Sequence, residues 1–277
     1  MPIGVAINGA AGRMGRMVAH AIADENDLSL VLALERSDSE FLGQDAGLLA
    51  GIGEVNVPLV TQVDKTTVDV LVDFSVPAAT LNVLEKAVIE GFGMVIGTTG
   101  FDAAGLRDIE AAAESIPIVM APNMSVGVNV AFRLIETAAA ILGDSVDIEI
   151  YEMHHRQKID APSGTAVRMG EIVARTLGRD LEQEAESGRG GETGERTQQA
   201  IGFHSARGGD VVGDHTVTFA GKGERIEITH RAQSRSNFAA GAIRAVRFVA
   251  NKLATVSYTH LRAHETEADL VCRLLLE

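Results

Sequence analysis

Ile3-Gly4-Val5-Ala6-Ile7-Asn8-Gly9-Ala10-Ala11-Gly12-Arg13-Met14-Gly15 is a short apolar run that ends at a glycine and is followed by two more glycines at three-residue spacing. The pattern predicts a buried strand over Ile3–Asn8, a tight turn, and a helix over residues 13–25. Backbone N–H groups at such a turn can face a pyrophosphate, and the helix dipole adds about half a positive charge there. The spacing is G-x-x-G-x-x-G rather than the commoner G-x-G-x-x-G, and taken alone it also fits an ordinary strand-to-helix turn. Context favours the nucleotide reading, because a second strand follows at residues 28–34 and completes a strand-helix-strand unit of the right length.

The same alternation continues outward. Residues 68–73, 94–97 and 117–121 are short apolar runs of the kind buried in a parallel sheet, and helices are expected over 77–90 and 102–114 between them. Pro77 suits a first helical turn. Strand-helix alternation at this spacing predicts an α/β fold with a Rossmann-type doubly wound parallel sheet over residues 1–125. Beyond Ser125 the pattern changes to a long helix (126–142), a strand (146–153) and another helix (162–177). Residues 182–199 read as a surface loop, three strands follow (201–207, 211–220, 225–231), and Ser236 is expected to cap a helix over 238–251. Consecutive strands with short Gly-containing turns predict an antiparallel or mixed sheet, hence an α+β second domain over 126–236. A return helix then spans 237–255.

Composition excludes several classes. The 277 residues carry 24 Lys and Arg against 38 Asp and Glu, a net charge of −14. So acidic a chain is poorly suited to neutralising phosphate backbones or lying on an anionic membrane, so no nucleic-acid or membrane partner is expected. No apolar run is expected to reach the roughly 20 residues of a bilayer span, and the N-terminus lacks the basic and apolar regions of a signal peptide. One cysteine, Cys272, permits no internal disulfide. A cytoplasmic protein is expected.

Glu35 ends the second strand about 20 residues past the last glycine, where an acidic side chain can bind the adenosine ribose hydroxyls of NAD. Arg36 beside it, or Arg13 in the turn, could pair with the 2′-phosphate of NADP, so both cofactors should be tolerated. A solvated strand-end pair is the plainer alternative. Gly97-Thr98-Thr99-Gly100 and Ala121-Pro122-Asn123-Met124 follow two further strands, at the ends where such sheets bind ligands, and pattern alone does not separate them from ordinary turns.

The densest chemistry is Tyr151-Glu152-Met153-His154-His155-Arg156-Gln157-Lys158-Ile159-Asp160-Ala161-Pro162-Ser163-Gly164-Thr165. Two imidazoles, an arginine and a lysine end a strand, and Ser163, Gly164 and Thr165 open a helix whose N–H groups can receive a carboxylate. Lys158 and His155 can add charge, and a histidine is the natural proton donor near neutral pH. A metal site lacks a third soft ligand or a carboxylate pair. In so acidic a protein, a tight cationic cluster fits an anion site better than a solvated turn.

These residues resemble the dihydrodipicolinate reductase family, the 4-hydroxy-tetrahydrodipicolinate reductases of the bacterial and plant lysine pathway. The glycine turn, Glu35-Arg36, Gly97–Gly100 and above all Glu152-x-His154-His155-Arg156-x-Lys158-x-Asp160-Ala161-Pro162-Ser163-Gly164-Thr165 match its motifs. Arg207-x-Gly209-x-Val211-x-Gly213-x-His215 and Ile228-x-His230-x-Ala232-x-Ser234-Arg235 are similar to its later signatures. The match runs from residue 1 to about 254. The resemblance implies His154 as proton donor/acceptor and Lys158 as second proton donor. It implies His155, Gly164 and Thr165 as substrate-carboxylate ligands, with Arg235 a further candidate. Gly9, Ala10, Ala11, Gly12, Arg13, Met14, Glu35, Arg36, Gly97, Thr98, Thr99, Ala121, Pro122, Asn123 and Met124 would bind NADH or NADPH. It further implies a small cyclic dicarboxylate substrate, no metal, hinge closure around substrate and cofactor, and a homotetramer assembled through sheets of the second domain.

Residues 256–277 depart from the family's C-terminal pattern and resemble a string, of sequencing-adapter origin, that recurs at the ends of unrelated chains. They are expected to be a non-native tail with few contacts to the first domain. Two rival readings remain at this level. Another two-domain NAD(P)-dependent dehydrogenase would leave the His-His-Arg-x-Lys stretch unexplained, and a non-enzymatic NAD(H)-sensing module would leave the cationic cluster idle.

Overall fold

The structure is a computed structural model that describes residues 1–63 and 68–253; the expectation for residues 256–277 lies outside the described residues. The chain divides into two compact units. Met1–Val126 and the chain from Arg235 form one, and Gly127–Ser234 the other.

The first unit is built on a six-stranded sheet: β1 (Ile3–Asn8), β2 (Leu28–Leu34), β3 (Leu59–Val60), β4 (Val70–Asp73), β5 (Gly93–Ile96) and β6 (Ile118–Met120). Every pairing is parallel and the order is β3-β2-β1-β4-β5-β6, the Rossmann arrangement whose switch point lies beside β1. The helices are α1 (Arg13–Ala23), the short α2 (Ala46–Ala50), α3 (Pro77–Glu90) and α4 (Ala103–Ala112). The strands are apolar on both faces because helices cover both: β4 and β5 are buried at every position. Two cores result. Val5, Ile7, Val70 and Val72 pack with one set of helical residues, while Ala6, Leu71, Met94 and Ile96 face Val83, Leu84 and Ile109.

The last helix of this unit, α8 (Ser236–Leu253), contributes Ala239, Ala242, Ile243, Val246 and Val249 to the first of those cores. Arg247 anchors it to Glu25 and Asp27 past the end of α1. Ser236 is the first helical residue rather than a cap outside the helix.

The second unit carries α5 (Val126–Leu142, whose first residue belongs to the first unit), β7 (Asp147–His154), α6 (Gly164–Leu177), α7 (Leu181–Glu184), β8 (Ala185–Ser187), β9 (Ile201–Arg207), β10 (Gly213–Ala220) and β11 (Arg225–Ala232). Its sheet is mixed, in the order β11-β10-β7-β9-β8: β10 is antiparallel to β7 and β11, whereas β9 runs parallel to β7 and β8. Along β7, Ile148, Ile150, Glu152 and His154 are buried and Tyr151 and Met153 exposed, so this sheet has one covered face and one open face.

Two expectations need amending. The polar stretch 182–199 holds most of α7 and all of β8, because Arg189 and Arg196 both reach back to the Glu149 carboxylate and tie it to the sheet. The segment Val126–Ser145 is also long and apolar enough, by length and composition alone, to cross a membrane. Its Val128, Phe132, Ile135 and Ala139 are nevertheless buried at helical spacing, the stripe of a helix packed within its own protein.

Candidate active site

In the first unit, the strand ends that approach a ligand in such sheets are crowded by design. Gly9 follows β1 at φ +79°, a conformation L side chains rarely adopt. A Cβ on Gly15 would overlap the backbone of Gly9 and Ala10, so only glycine lets α1 start this close to the turn. No side chain caps α1. Glu35 follows β2, and its Oε2 accepts from the Ala11 amide at 2.9 Å, which brings the acidic residue onto the glycine turn. Arg36 is exposed and lies 3.3 Å from Asp38.

Gly97–Thr99 follow β5. The Thr98 hydroxyl donates to Asp73 at 2.8 Å while accepting from the Ser75 amide. Ala121–Met124 link β6 to α5, where Ala121 donates to the Ile96 carbonyl and Asn123 Oδ1 accepts from the Ser125 amide. The segments expected at the nucleotide site therefore all follow the C-terminal ends of parallel strands, β1, β2, β5 and β6. Two residues there went unremarked in the sequence: Asp73, which accepts from Thr98 after β5 and from Asn8 at the end of β1, and Gly241, where a Cβ would overlap the Met124 carbonyl.

In the second unit, His154 ends β7 on the covered face, 8% exposed. Its Nδ1 is 2.6 Å from Glu152 Oε2. Arg207, the register partner of His154 on β9, grips the same carboxylate with Nη1 at 2.7 Å and Nη2 at 2.9 Å. The Ser163 amide donates to Glu152 Oε1 at 3.2 Å, and Ser163 Oγ, which caps α6 by accepting from Ala166, lies 2.8 Å from His215 Nε2. His215 sits across from Glu152 on β10, and its ring meets His154 edge-on at 5.1 Å. Gly164 and Thr165 are the first residues of α6.

The turn 155–158 is pinned from below. His155 and Arg156 amides donate to the carbonyls of Val211 and Gly209, and Gly208 donates to His154. Lys158 Nζ reaches both oxygens of Asp160 at 2.8 Å. His155 keeps a buried Nδ1 with no partner among the described residues.

Burial and charge set the protonation states. Burial would raise the Glu152 carboxyl, but bonds from Arg207, His154 and Ser205 outweigh it and hold it at about 2. Burial pulls His154 below its ordinary value; Glu152 opposes this, while Lys158 and Arg207 add to it. His215 is pushed down to about 3 by burial and by the neighbouring His154. The arrangement is an ionised carboxylate, a poised imidazole and a neutral one beside a helix start: equipment for moving a proton next to a bound anion. Among the described residues, no group of three or more His, Cys, Asp or Glu could hold a metal ion.

Known proteins match over nearly the whole chain. The model for the N-terminus of dihydrodipicolinate reductase matches residues 3–124, and that for its C-terminus residues 127–261, a few residues further than the motifs alone suggested. The 4-hydroxy-tetrahydrodipicolinate reductase of Alkalilimnicola ehrlichii is 54% identical over 250 residues, covering 90% of this chain and 94% of that relative. That of Thiobacillus denitrificans is 53% identical with the same coverage. A dipicolinate-bound dihydrodipicolinate reductase from Paenisporosarcina sp. TG-14 superposes with a TM-score of 0.70 at 27% identity, over 91% of this chain and 95% of that one. With both halves matched and relatives above half identity, the chain belongs to the dihydrodipicolinate reductase family.

Proposed function

We propose that this protein reduces 4-hydroxy-tetrahydrodipicolinate to tetrahydrodipicolinate with NADH or NADPH, in lysine (diaminopimelate) biosynthesis in the cytoplasm. The balance is one substrate, one reduced nicotinamide and one proton in, and tetrahydrodipicolinate, oxidised nicotinamide and one water out. The observation that carries the reading is the buried His154–Glu152 contact beside the start of α6, in a chain whose family is a nicotinamide-dependent reductase.

The residues of the first unit fit that cofactor. The uncapped start of α1 and the close-packed Gly9–Gly15 turn suit a pyrophosphate, Glu35 suits the ribose hydroxyls, and exposed Arg36 suits a 2′-phosphate. Gly9–Met14, Gly97–Thr99 and Ala121–Met124 would surround the rest. The bound cofactor supplies the hydride. The protein's own part is binding and proton management. Gly164 and Thr165 amides, with His155, would hold the carboxylates of a small cyclic dicarboxylate, and His154 would give a proton to the ring once hydride has arrived. Lys158, paired with Asp160, would be the second donor.

The open face of the second sheet supports a homotetramer. Tyr151 and Met153 project from it beside a depression of about 280 Å³ that His204, Asp214 and Arg231 also line. The test is purified protein with freshly generated substrate, monitored for oxidation of NADH and of NADPH in parallel. His154→Ala should lower turnover roughly 10²–10⁴-fold; unchanged turnover would remove His154 from the reaction.

A further inference from the structure

We infer that Glu152, clamped by Arg207, is the positioning residue of the proton-transfer centre: it holds His154 with Nδ1–H turned to the carboxylate, so that Nε2 alone exchanges the proton. The inference rests on the reading of His154 as proton donor given above.

The geometry leaves His154 one orientation. Glu152 is 3% exposed, so water does not compete for its oxygens. Oε1 accepts from the Ser163 amide and Arg207 Nη2, and Oε2 from Arg207 Nη1. An ionised carboxylate has no proton to give, so the 2.6 Å contact to His154 Nδ1 requires the imidazole to donate. In the neutral ring, Nε2 then carries the lone pair. Arg207 does for Glu152 what Glu152 does for His154: the bidentate grip fixes the carboxylate plane, and register places Arg207 directly across from His154. A carboxylate-oriented imidazole is a recurring device for selecting which ring nitrogen acts.

The groups facing His154 are Glu152 on its own strand, Lys158 in the following turn, Arg207 on β9 and His215 on β10. Two cations and burial disfavour the imidazolium, and Glu152 is the only anion among them that favours it. Removing that charge therefore lowers the pH at which His154 gives up its proton.

The test uses the full-length protein labelled with ¹⁵N-histidine, with the His154 ring signals assigned by their loss in His154→Gln. Long-range ¹H–¹⁵N spectra should show Nδ1 protonated and Nε2 bare in the unmodified protein, a readout that does not depend on any variant folding. Glu152→Gln should mix the tautomers, cut kcat about 10²-fold or more, and move the alkaline limb of kcat/KM to lower pH, with the KM for the nicotinamide unchanged. Arg207→Lys, which keeps a cation on the carboxylate, should retain the tautomer. An Nε2–H tautomer in the unmodified protein, or native kcat and an unmoved limb in Glu152→Gln, overturns the inference while leaving the reductase reading intact. Full turnover in His154→Gln overturns the reading of His154 and this inference with it.

Discussion

Thr98 donates its hydroxyl to Asp73 at 2.8 Å, and through that carboxylate the loop after β5 is tied to the end of β1. Asn8 Nδ2 donates to the same group at 2.9 Å and Ser75 Oγ at 2.5 Å, and Thr80 in α3 adds a short fourth bond. Asp73 is fully buried, and burial raises its carboxyl above the ordinary value despite these bonds. Asp73→Ala strands up to three buried donors, on Asn8, Thr80 and Thr98, at about 1–3 kcal/mol each, non-additively. We expect a stability loss of roughly 3 kcal/mol or more by urea unfolding and weaker nicotinamide binding. Asp73→Asn keeps one acceptor and should cost less. Equal losses in both would mean that the charge, not the acceptor, holds the loops.

Acid should destabilise the fold in two stages. His215 titrates at about 3 in the fold against an ordinary 6.5, so the unfolded chain takes up its proton first. Its contribution is complete above pH 6.5 and is lost as pH falls toward 3, on the order of 5 kcal/mol in all. Glu152 is held at about 2 against an ordinary 4.5, so its contribution, on the order of 3 kcal/mol, is lost between pH 4.5 and 2. Unfolding free energies across pH 7 to 4 should therefore fall in the native protein and fall less steeply in His215→Gln. Some slope persists, because burial also lowers His154 and His230. An unchanged slope in the variant would mean that His215 is not the group responsible.

The parts legible in the sequence are those that local chemistry decides. The ends of β1, β2, α3, α5 and β9 fall where apolar runs meet glycine, proline or polar residues, and the expected bounds for those elements coincide with the observed ones. The five-residue α2 and two-residue β3 were missed because neither completes a period of its own pattern. What holds α2 is Asp45, whose carboxylate accepts from Gly47, Leu48, Val55 and Val57 amides, a wrap across ten or so residues that periodicity does not register. The centre around His154 shows the same limit. Its motifs name Glu152, Ser163, Arg207 and His215, but their meeting depends on the pairings Glu152↔His215 and His154↔Arg207, which arise only once three strands have found their register.

Two glycines in the candidate sites should respond oppositely to the same methyl group. At Gly15 a Cβ would overlap Gly9 and Ala10 backbone, which cannot swing aside as a side chain can. Gly15→Ala should cost about 1–3 kcal/mol of stability and raise the KM for the nicotinamide several-fold or more. At Gly164 nothing beyond its chain neighbours and the helix's own backbone lies within 4 Å of the would-be Cβ, and the residue opens α6, where alanine is well tolerated. Gly164→Ala should leave stability within about 0.5 kcal/mol of native and raise only the KM for the dicarboxylate, whose approach the methyl obstructs. An unaltered substrate KM would place the carboxylate elsewhere.

The open face of the second sheet offers the last test. Tyr151, 46% exposed, stacks on His204 at 4.7 Å, and Met153 is 36% exposed on the same strand. Contiguous apolar groups on an otherwise charged sheet face are the kind of surface that association covers. Met153 projects away from the core that Ile148 and Ile150 build on the other side of β7, so Met153→Asp should leave the far-ultraviolet circular dichroism spectrum native. Beside Asp214, whose one carboxylate already faces Arg231 at 3.7 Å, it adds a second carboxylate to the face. In sedimentation velocity, the native protein should run as a tetramer and the variant as smaller species, more so at low salt, where repulsion is least screened. A tetrameric Met153→Asp at low salt would remove this face from the assembly.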